Sequence, residues 1–168
     1  MPDRIEPARL AEQGARIEGR VALGGMERLA PLLAAEAGDA EVEMVFAIDG
    51  RGLRTVHGRV RATVPLTCQR CLKPVACAVD CDFHLAVVAS DTEERRLPEG
   101  IEPLDGRDAS VATAALVEDE VLLGLPLVAL HPDPACNDDL ERWQGEGKAA
   151  AENPFGVLKE WQDKRGRN

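Results

Sequence analysis

The chain has no tyrosine, and only three phenylalanines and two tryptophans among its 168 residues. So few rings exclude a sheet that stacks successive bases on aromatic side chains, the platform of common single-strand readers. Only two serines occur, Ser90 and Ser110, and neither sits in a nucleophile motif. A glycine-rich phosphate loop and a dinucleotide fingerprint are also missing. With no enzyme motif left to build on, a non-catalytic protein is expected. No apolar run approaches the ~20 residues of a membrane span. The first ten residues alternate charges where a signal peptide would carry an apolar core. The expected compartment is the cytoplasm, where five cysteines are reduced or metal-bound rather than paired as disulfides.

Acidic residues are missing from one stretch only. Residues 51–79 carry Arg51, Arg54, Arg59, Arg61, Arg70 and Lys73 with no acid, in a chain whose formal net charge is −10. Residues 1–50 hold ten acids and five bases, and residues 89–147 hold fifteen acids against four bases. The overall balance argues against broad nucleic-acid binding. With a Debye length of ~8 Å, however, a docking phosphate feels a local basic patch more than distant acids.

What is present is a core-forming chain, 45% apolar and long enough for one domain. Residues 15–23 alternate loosely and predict a short strand. Gly24-Gly25 then opens 26–37, where Leu29, Leu32 and Leu33 recur at helical spacing and predict a helix. Val42, Met44, Phe46 and Ile48 alternate along the next strand, and Asp49-Gly50-Arg51-Gly52 is a hairpin turn. Residues 53–67 form a strand with Val56, Val60, Val64 and Leu66 on one face and His57, Arg59, Arg61 and Thr63 on the other. Pro65 marks an edge or a bulge. The return strand places Val75, Cys77, Val79, Cys81 and Phe83 on its apolar face, opposite Asp80, Asp82 and His84.

Residues 90–99 read as an acidic loop, followed by a helix at 111–123 capped by Ser110 and ended by Gly124 and Pro126. The apolar run 125–130 is expected to be buried beside the sheet. Asn153-Pro154 opens a last helix, with Phe155, Leu158 and Trp161 on one stripe. The expected class is α+β: a mainly antiparallel sheet with a long CxxC-tipped hairpin and two to three helices. Residues 1–136 are expected to form a single domain, 137–152 an acidic linker, and 153–168 a C-terminal docking helix, which packs either on its own chain or on a partner.

The candidate site is the hairpin tip, Cys68-Gln69-Arg70-Cys71-Leu72-Lys73-Pro74. Strand parity assigns Cys77 and Cys81 to packing, whereas packing does not ask for cysteine at a turn. The CxxC spacing lets two sulfurs reach one tetrahedral ion, with His131 and Cys136 as the remaining ligands for one structural zinc. Two alternatives stay open. One is redox chemistry, in which Arg70 lowers a thiol pKa, although a thioredoxin-like CxxC opens a helix and this one precedes a strand. The other is a pair of unliganded thiols in a tight turn. Arg59 and Arg61 project from one sheet face with His57 in phase, and Arg54, Arg70 and Lys73 add to a candidate phosphate-binding surface. The competing reading is a solvated face paired with the acidic segments. Glu118-Asp119-Glu120 reads as a solvated helix face, one member of which could pair with Arg59 or Arg61. His57 and His84 read as surface residues rather than catalysts.

Thr67-Cys68-Gln69-Arg70-Cys71-Leu72-Lys73-Pro74 resembles the signature of the YceD family, the large ribosomal RNA subunit accumulation proteins. Val117-Glu118-Asp119-Glu120-Val121-Leu122-Leu123-Gly124-Leu125-Pro126, Asn153-Pro154-Phe155-Gly156-Val157-Leu158 and Phe46-Ala47-Ile48-Asp49 agree with it in order. The resemblance implies a bacterial cytoplasmic factor for 23S ribosomal RNA synthesis, processing or stability, with no catalytic activity. It implies pre-ribosomal RNA or a large-subunit precursor as partner. Many members carry a second cysteine pair after the proline-ended helix, and this chain departs from them in having His131 and Cys136. A second functional reading is an adaptor that meets a basic ribosomal protein through residues 89–147, and a third is a thiol redox protein.

Overall fold

The computed structural model is described for residues 1–137. The expected helix at 153–168, and the expected linker beyond its first residue, lie outside the described residues. The architecture is α+β. In chain order the elements are β1 (Arg4–Ile5), α1 (Pro7–Gln13), β2 (Arg16–Ala22), β3 (Asp39–Ile48), β4 (Arg54–Thr67), β5 (Pro74–Val88), α2 (Asp91–Glu94), β6 (Glu102–Asp105), β7 (Val111–Ala112) and α3 (Thr113–Leu123). The main sheet has the order β2-β3-β4-β5-β6, and β1 pairs β7 in a small two-stranded sheet. All pairings are antiparallel except β5 with β6, whose connection runs through α2. No helix among the described residues is long and apolar enough to cross a membrane.

Alternation along β3, β4 and β5 sorts the sheet into two faces. Val42, Met44, Phe46, Val56, Val60, Val64, Val79 and Phe83 are buried on one. α3, with Leu116, Val117 and Val121 buried, packs against β4 and β5, and α1 packs against β3 and β4. A fully buried side chain of this kind contributes about 1.5–3 kcal/mol. Pro65 lies beyond the last β3 pair, Glu41 with Arg61, so its missing N–H costs no ladder bond on that side. Its carbonyl accepts from Ala34 N at 2.8 Å.

Five sequence expectations need correction. Residues 90–99 are not a loop throughout, because Ser90 Oγ accepts from Glu93 N and caps the short helix α2. Residues 26–37 do not form a helix. They run as turns beside two 3₁₀ segments, Leu23–Gly25 and Ala30–Leu32. Pro31 removes a helical donor and disfavours the α conformation before it. Of the three spaced leucines only Leu29 is buried, together with Leu23 and Met26, whereas Leu32 is exposed. The N–H groups of Arg28 and Leu29 donate to Glu118 Oε1 at 2.7 and 3.0 Å.

Ser110 does not cap the helix. α3 starts after Ala112 without a side-chain cap, because Val111–Ala112 first pairs with β1, and Arg4 Nε donates to Ser110 Oγ at 2.9 Å. Residues 125–130 are not buried as a run. Only Ala129 is buried, and Leu127 is fully exposed. The segment is held through its backbone, with Gln69 N donating to Ala129 O at 2.8 Å. Finally, Glu118-Asp119-Glu120 is not a solvated face. Glu118 and Glu120 are 5% and 7% exposed, and the arginine that meets the cluster is Arg28.

Gly58 of β4 faces Phe83 of β5 in register. A Cβ at Gly58 would lie 2.5 and 2.6 Å from the ring carbons Cε1 and Cε2, inside van der Waals contact. Gly58→Ala is therefore expected to lower unfolding free energy by about 2 kcal/mol in urea denaturation. A Gly58→Ala/Phe83→Leu double variant should recover part of that loss.

Candidate metal centre and charged sheet face

The turn between β4 and β5 is closed by its own backbone. Cys68 N donates to Lys73 O, and Leu72 N donates to Cys68 O, both at 2.9 Å. Leu72 occupies the left-handed region, with φ of 60°, and is 74% exposed. This geometry turns Cys68 inward, where it is fully buried, and leaves Cys71 half-buried beside it. None of the described cysteines is in a disulfide.

His131 closes over this pair. Its N–H donates to Cys68 Sγ at 3.5 Å, and its ring Nδ1 lies 3.3 Å from Cys71 Sγ. Its Nε2 lies 3.0 Å from Pro74 O. A carbonyl only accepts, so Nε2 donates to Pro74 O, and Nδ1 is the nitrogen turned toward the sulfur. This is the orientation of a metal-ligating histidine whose second nitrogen is held by a backbone carbonyl. The ligand atoms of Cys68, Cys71, His131 and Cys136 all lie within 4.8 Å of one another. A tetrahedral zinc with sulfur ligands needs S···S edges of about 3.7 Å, so small adjustments would close the site. The four residues singled out in the sequence are the four that come together.

Burial pushes the Cys68 thiol pKa up, but N–H groups of Cys71, His131 and Arg70 outweigh it and hold the group down to about 5. These N–H groups favour the thiolate, the form in which a cysteine binds a metal. Three thiols and an imidazole are a donor set that suits Zn²⁺.

The basic residues divide into two groups. On the exposed sheet face, Arg59 reaches Asp80 at 2.6 Å and Asp82 at 3.7 Å, and Arg61 reaches Asp80 at 3.5 Å. The Arg59 guanidinium holds the Asp80 carboxyl below its ordinary range, against a smaller upward push from burial. Across the same face Arg16 meets Glu43 and Arg20 meets Glu41, each at 2.7 Å. Successive strands therefore carry charges of alternating sign. Arg54 is paired with Glu12 of α1 at 2.8 Å. Arg70 and Lys73 stand at the hairpin tip, Arg70 half-buried and Lys73 exposed.

Two further clusters were not foreseen. His57 and His84, cross-strand partners, stack with ring centroids 3.7 Å apart. Burial first, then the charge of His57, holds the His84 pKa below its ordinary value. The other cluster is on α3, where burial first, and then Glu102 and Asp119, push the Glu120 carboxyl up to about 7. The sequence did hold a signal for it. Thr113, Leu116, Val117, Glu120 and Val121 follow helical i, i+3, i+4 spacing, so Glu120 falls inside the apolar stripe.

Residues 56–165 match the family described as large ribosomal RNA subunit accumulation protein YceD. A protein of that name from Haemophilus influenzae is 32% identical over 161 residues, which span 95% of this chain and 87% of the relative. No solved structure matches the chain.

A leucine in the left-handed region costs about 1–2 kcal/mol relative to glycine. Leu72→Gly is expected to raise unfolding free energy by about 1 kcal/mol, measured by urea denaturation at fixed metal content, with Cys68 and Cys71 untouched.

Proposed function

Because the chain belongs to the YceD family of large ribosomal RNA subunit accumulation proteins, we propose that it supports accumulation of that RNA as a non-catalytic cytoplasmic factor, using its hairpin tip as the contact to pre-ribosomal RNA. The observation that carries this reading is the clustering of Cys68, Cys71, His131 and Cys136 at the turn that also carries Arg70 and Lys73. Zinc bound there would tie the β4–β5 turn to the loop after α3 and supply rigidity rather than chemistry at a substrate. A divalent ion would also neutralise two of the three thiolates it binds. A rigid tip loses less conformational freedom when it docks. Arg54, Arg59 and Arg61 belong to the same acid-free stretch. A phosphate reaching any of these three would have to displace a carboxylate already in place. Arg70 and Lys73 lead the contact because they stand in the turn that ends the hairpin.

The metal part is checked by native mass spectrometry and elemental analysis. One zinc per chain is expected, with loss of the ion and of several kcal/mol of stability in Cys68→Ser and Cys71→Ser. A fully folded, metal-free protein indifferent to chelators would sink this part.

The RNA part is checked by titrating large-subunit precursor fragments over a range of salt. Arg70→Glu/Lys73→Glu should weaken binding at least tenfold and lower the salt slope by about 2, whereas Arg59→Ala/Arg61→Ala should do less. Equal affinity and slope in the tip variant would refute phosphate contact there.

A further inference from the structure

An open groove of about 610 Å³ lies between α3 and the edge strand β6. Leu85, Leu104, Leu116 and Leu122 line it with apolar surface. Set among them is Glu120, a carboxylic acid more than nine-tenths buried. Among the described residues it has no hydrogen-bond or ion-pair partner for its carboxyl group.

Every charged neighbour leaves this group uncompensated. Glu102 and Asp105 of β6 and Asp119 of α3 are acidic and border the groove, and the Cys81 thiol of β5 donates to the Glu120 backbone carbonyl rather than to its side chain. Among the described residues Arg28 is the one cation lining the groove, and it is already engaged by Glu118 at 3.1 Å and Asp119 at 2.6 Å. Burying an unpartnered acid on a core helix is unfavourable for the fold alone. The site is nonetheless open, walled with leucine and complementary to a positive charge.

We propose that this groove is a docking site for a partner-protein segment that inserts a lysine or arginine side chain against Glu120 and lays apolar side chains on the surrounding leucines. Charge selects this occupant. Residues 89–147, which contain both walls of the groove, carry fifteen acids against four bases, so a nucleic-acid backbone is repelled where a cationic segment is attracted. The leucine lining sets the second requirement, because a purely basic, fully hydrated segment would leave that surface uncovered. The inference does not depend on the RNA contact at the hairpin tip, which lies on other residues.

Protonation gives the interaction a signature. The Glu120 carboxyl stays half-protonated near pH 7 in the open groove, and an arriving cation favours its ionised form. Docking near neutral pH therefore releases a proton. Affinity should rise with pH through that range, since the docked state needs the carboxylate.

The test is calorimetric titration of the full-length protein with a synthetic amphipathic leucine/lysine peptide, using its leucine/glutamate counterpart as control. The leucine/lysine peptide should bind, with release of a proton seen as a dependence of the heat on buffer ionisation enthalpy. Its affinity should fall roughly tenfold between pH 8 and pH 5.5, and roughly tenfold in Glu120→Gln at pH 8. Glu120→Gln keeps the side-chain shape, and its thermal unfolding at pH 8 should be no lower than that of the parent. Amide and methyl shift mapping should place the peptide at Leu85, Leu104 and Leu122. Equal affinity for Glu120→Gln, mapping to the charged sheet face, no binding of the peptide, or displacement of it by an RNA fragment at those same leucines would each overturn the proposal.

Discussion

The register of β4 against β5 is the constraint on which the rest depends. Thirteen residue pairs run without a bulge from Thr55 with Ala86 to Thr67 with Pro74. Because side chains alternate with period two, that single register sets three outcomes at once. It places Val56, Val60 and Val64 on the buried face of the sheet. It turns Arg59 and Arg61 toward the opposite face, within reach of Asp80. It also brings Cys68 and Cys71 to the tip with their sulfurs toward His131. A slip of one residue would expose the core and separate the thiols together, so core packing and site geometry are selected by the same ladder. The strain at Leu72 is the local cost of closing this ladder with a turn short enough to hold both cysteines.

Charge in this fold is balanced mostly across neighbouring strands. The acid-free stretch of the sequence suggested a positive surface, but β3 supplies Glu41 and Glu43 on one side of Arg61 and Arg59, and β5 supplies Asp80 and Asp82 on the other. Exposed pairs of this kind are each worth little to stability, typically below about 1 kcal/mol. Their effect on the potential is larger, since alternating stripes cancel within a Debye length. Linear charge segregation thus overstated the basic character of the strand. At the tip the ladder ends, and Arg70 and Lys73 lie in the turn beyond its last pair, Thr67 with Pro74, Lys73 directly before the strand.

Much of the fold was legible because the pattern and the physics coincide. Period-two alternation located β2 to β5 closely, and the CxxC turn followed from it. The four metal-ligand candidates were likewise recoverable, since thiols outside the apolar phase have few structural reasons to exist. Legibility failed where one element depends on a distant side chain. Leucine spacing at 26–37 is helical, but Pro31 and the Glu118 carboxylate redirect its N–H groups. β6 is too short and too polar to announce itself, and its parallel pairing depends on the path of α2. The two-residue strands β1 and β7 exist only by virtue of each other. Glu118 and Glu120 were misread because adjacent acids look solvated until the helical stripe on which they lie is followed.

Those two acids show how much a local partner decides. They are two positions apart on one helix and almost equally buried. At Glu118 burial pushes the pKa up, but the N–H groups of Leu29 and Arg28 and the Arg28 guanidinium outweigh it, and the group stays below its ordinary value. Its charge is therefore part of the fold, fastening the 26–33 segment to α3, and this tether strengthens above the ordinary carboxyl range and is lost as pH falls below it. At Glu120 burial meets only further acids, the folded pKa lies above the unfolded one, and the contribution has the opposite sign. It is fully present below the ordinary carboxyl value of 4.5 and is lost as pH rises through about 7. The first acid is complete within the chain. The second becomes favourable as an anion only if something else brings the positive charge, which is why the α3–β6 groove, and not the more conspicuous row of arginines, carries the argument for a protein partner.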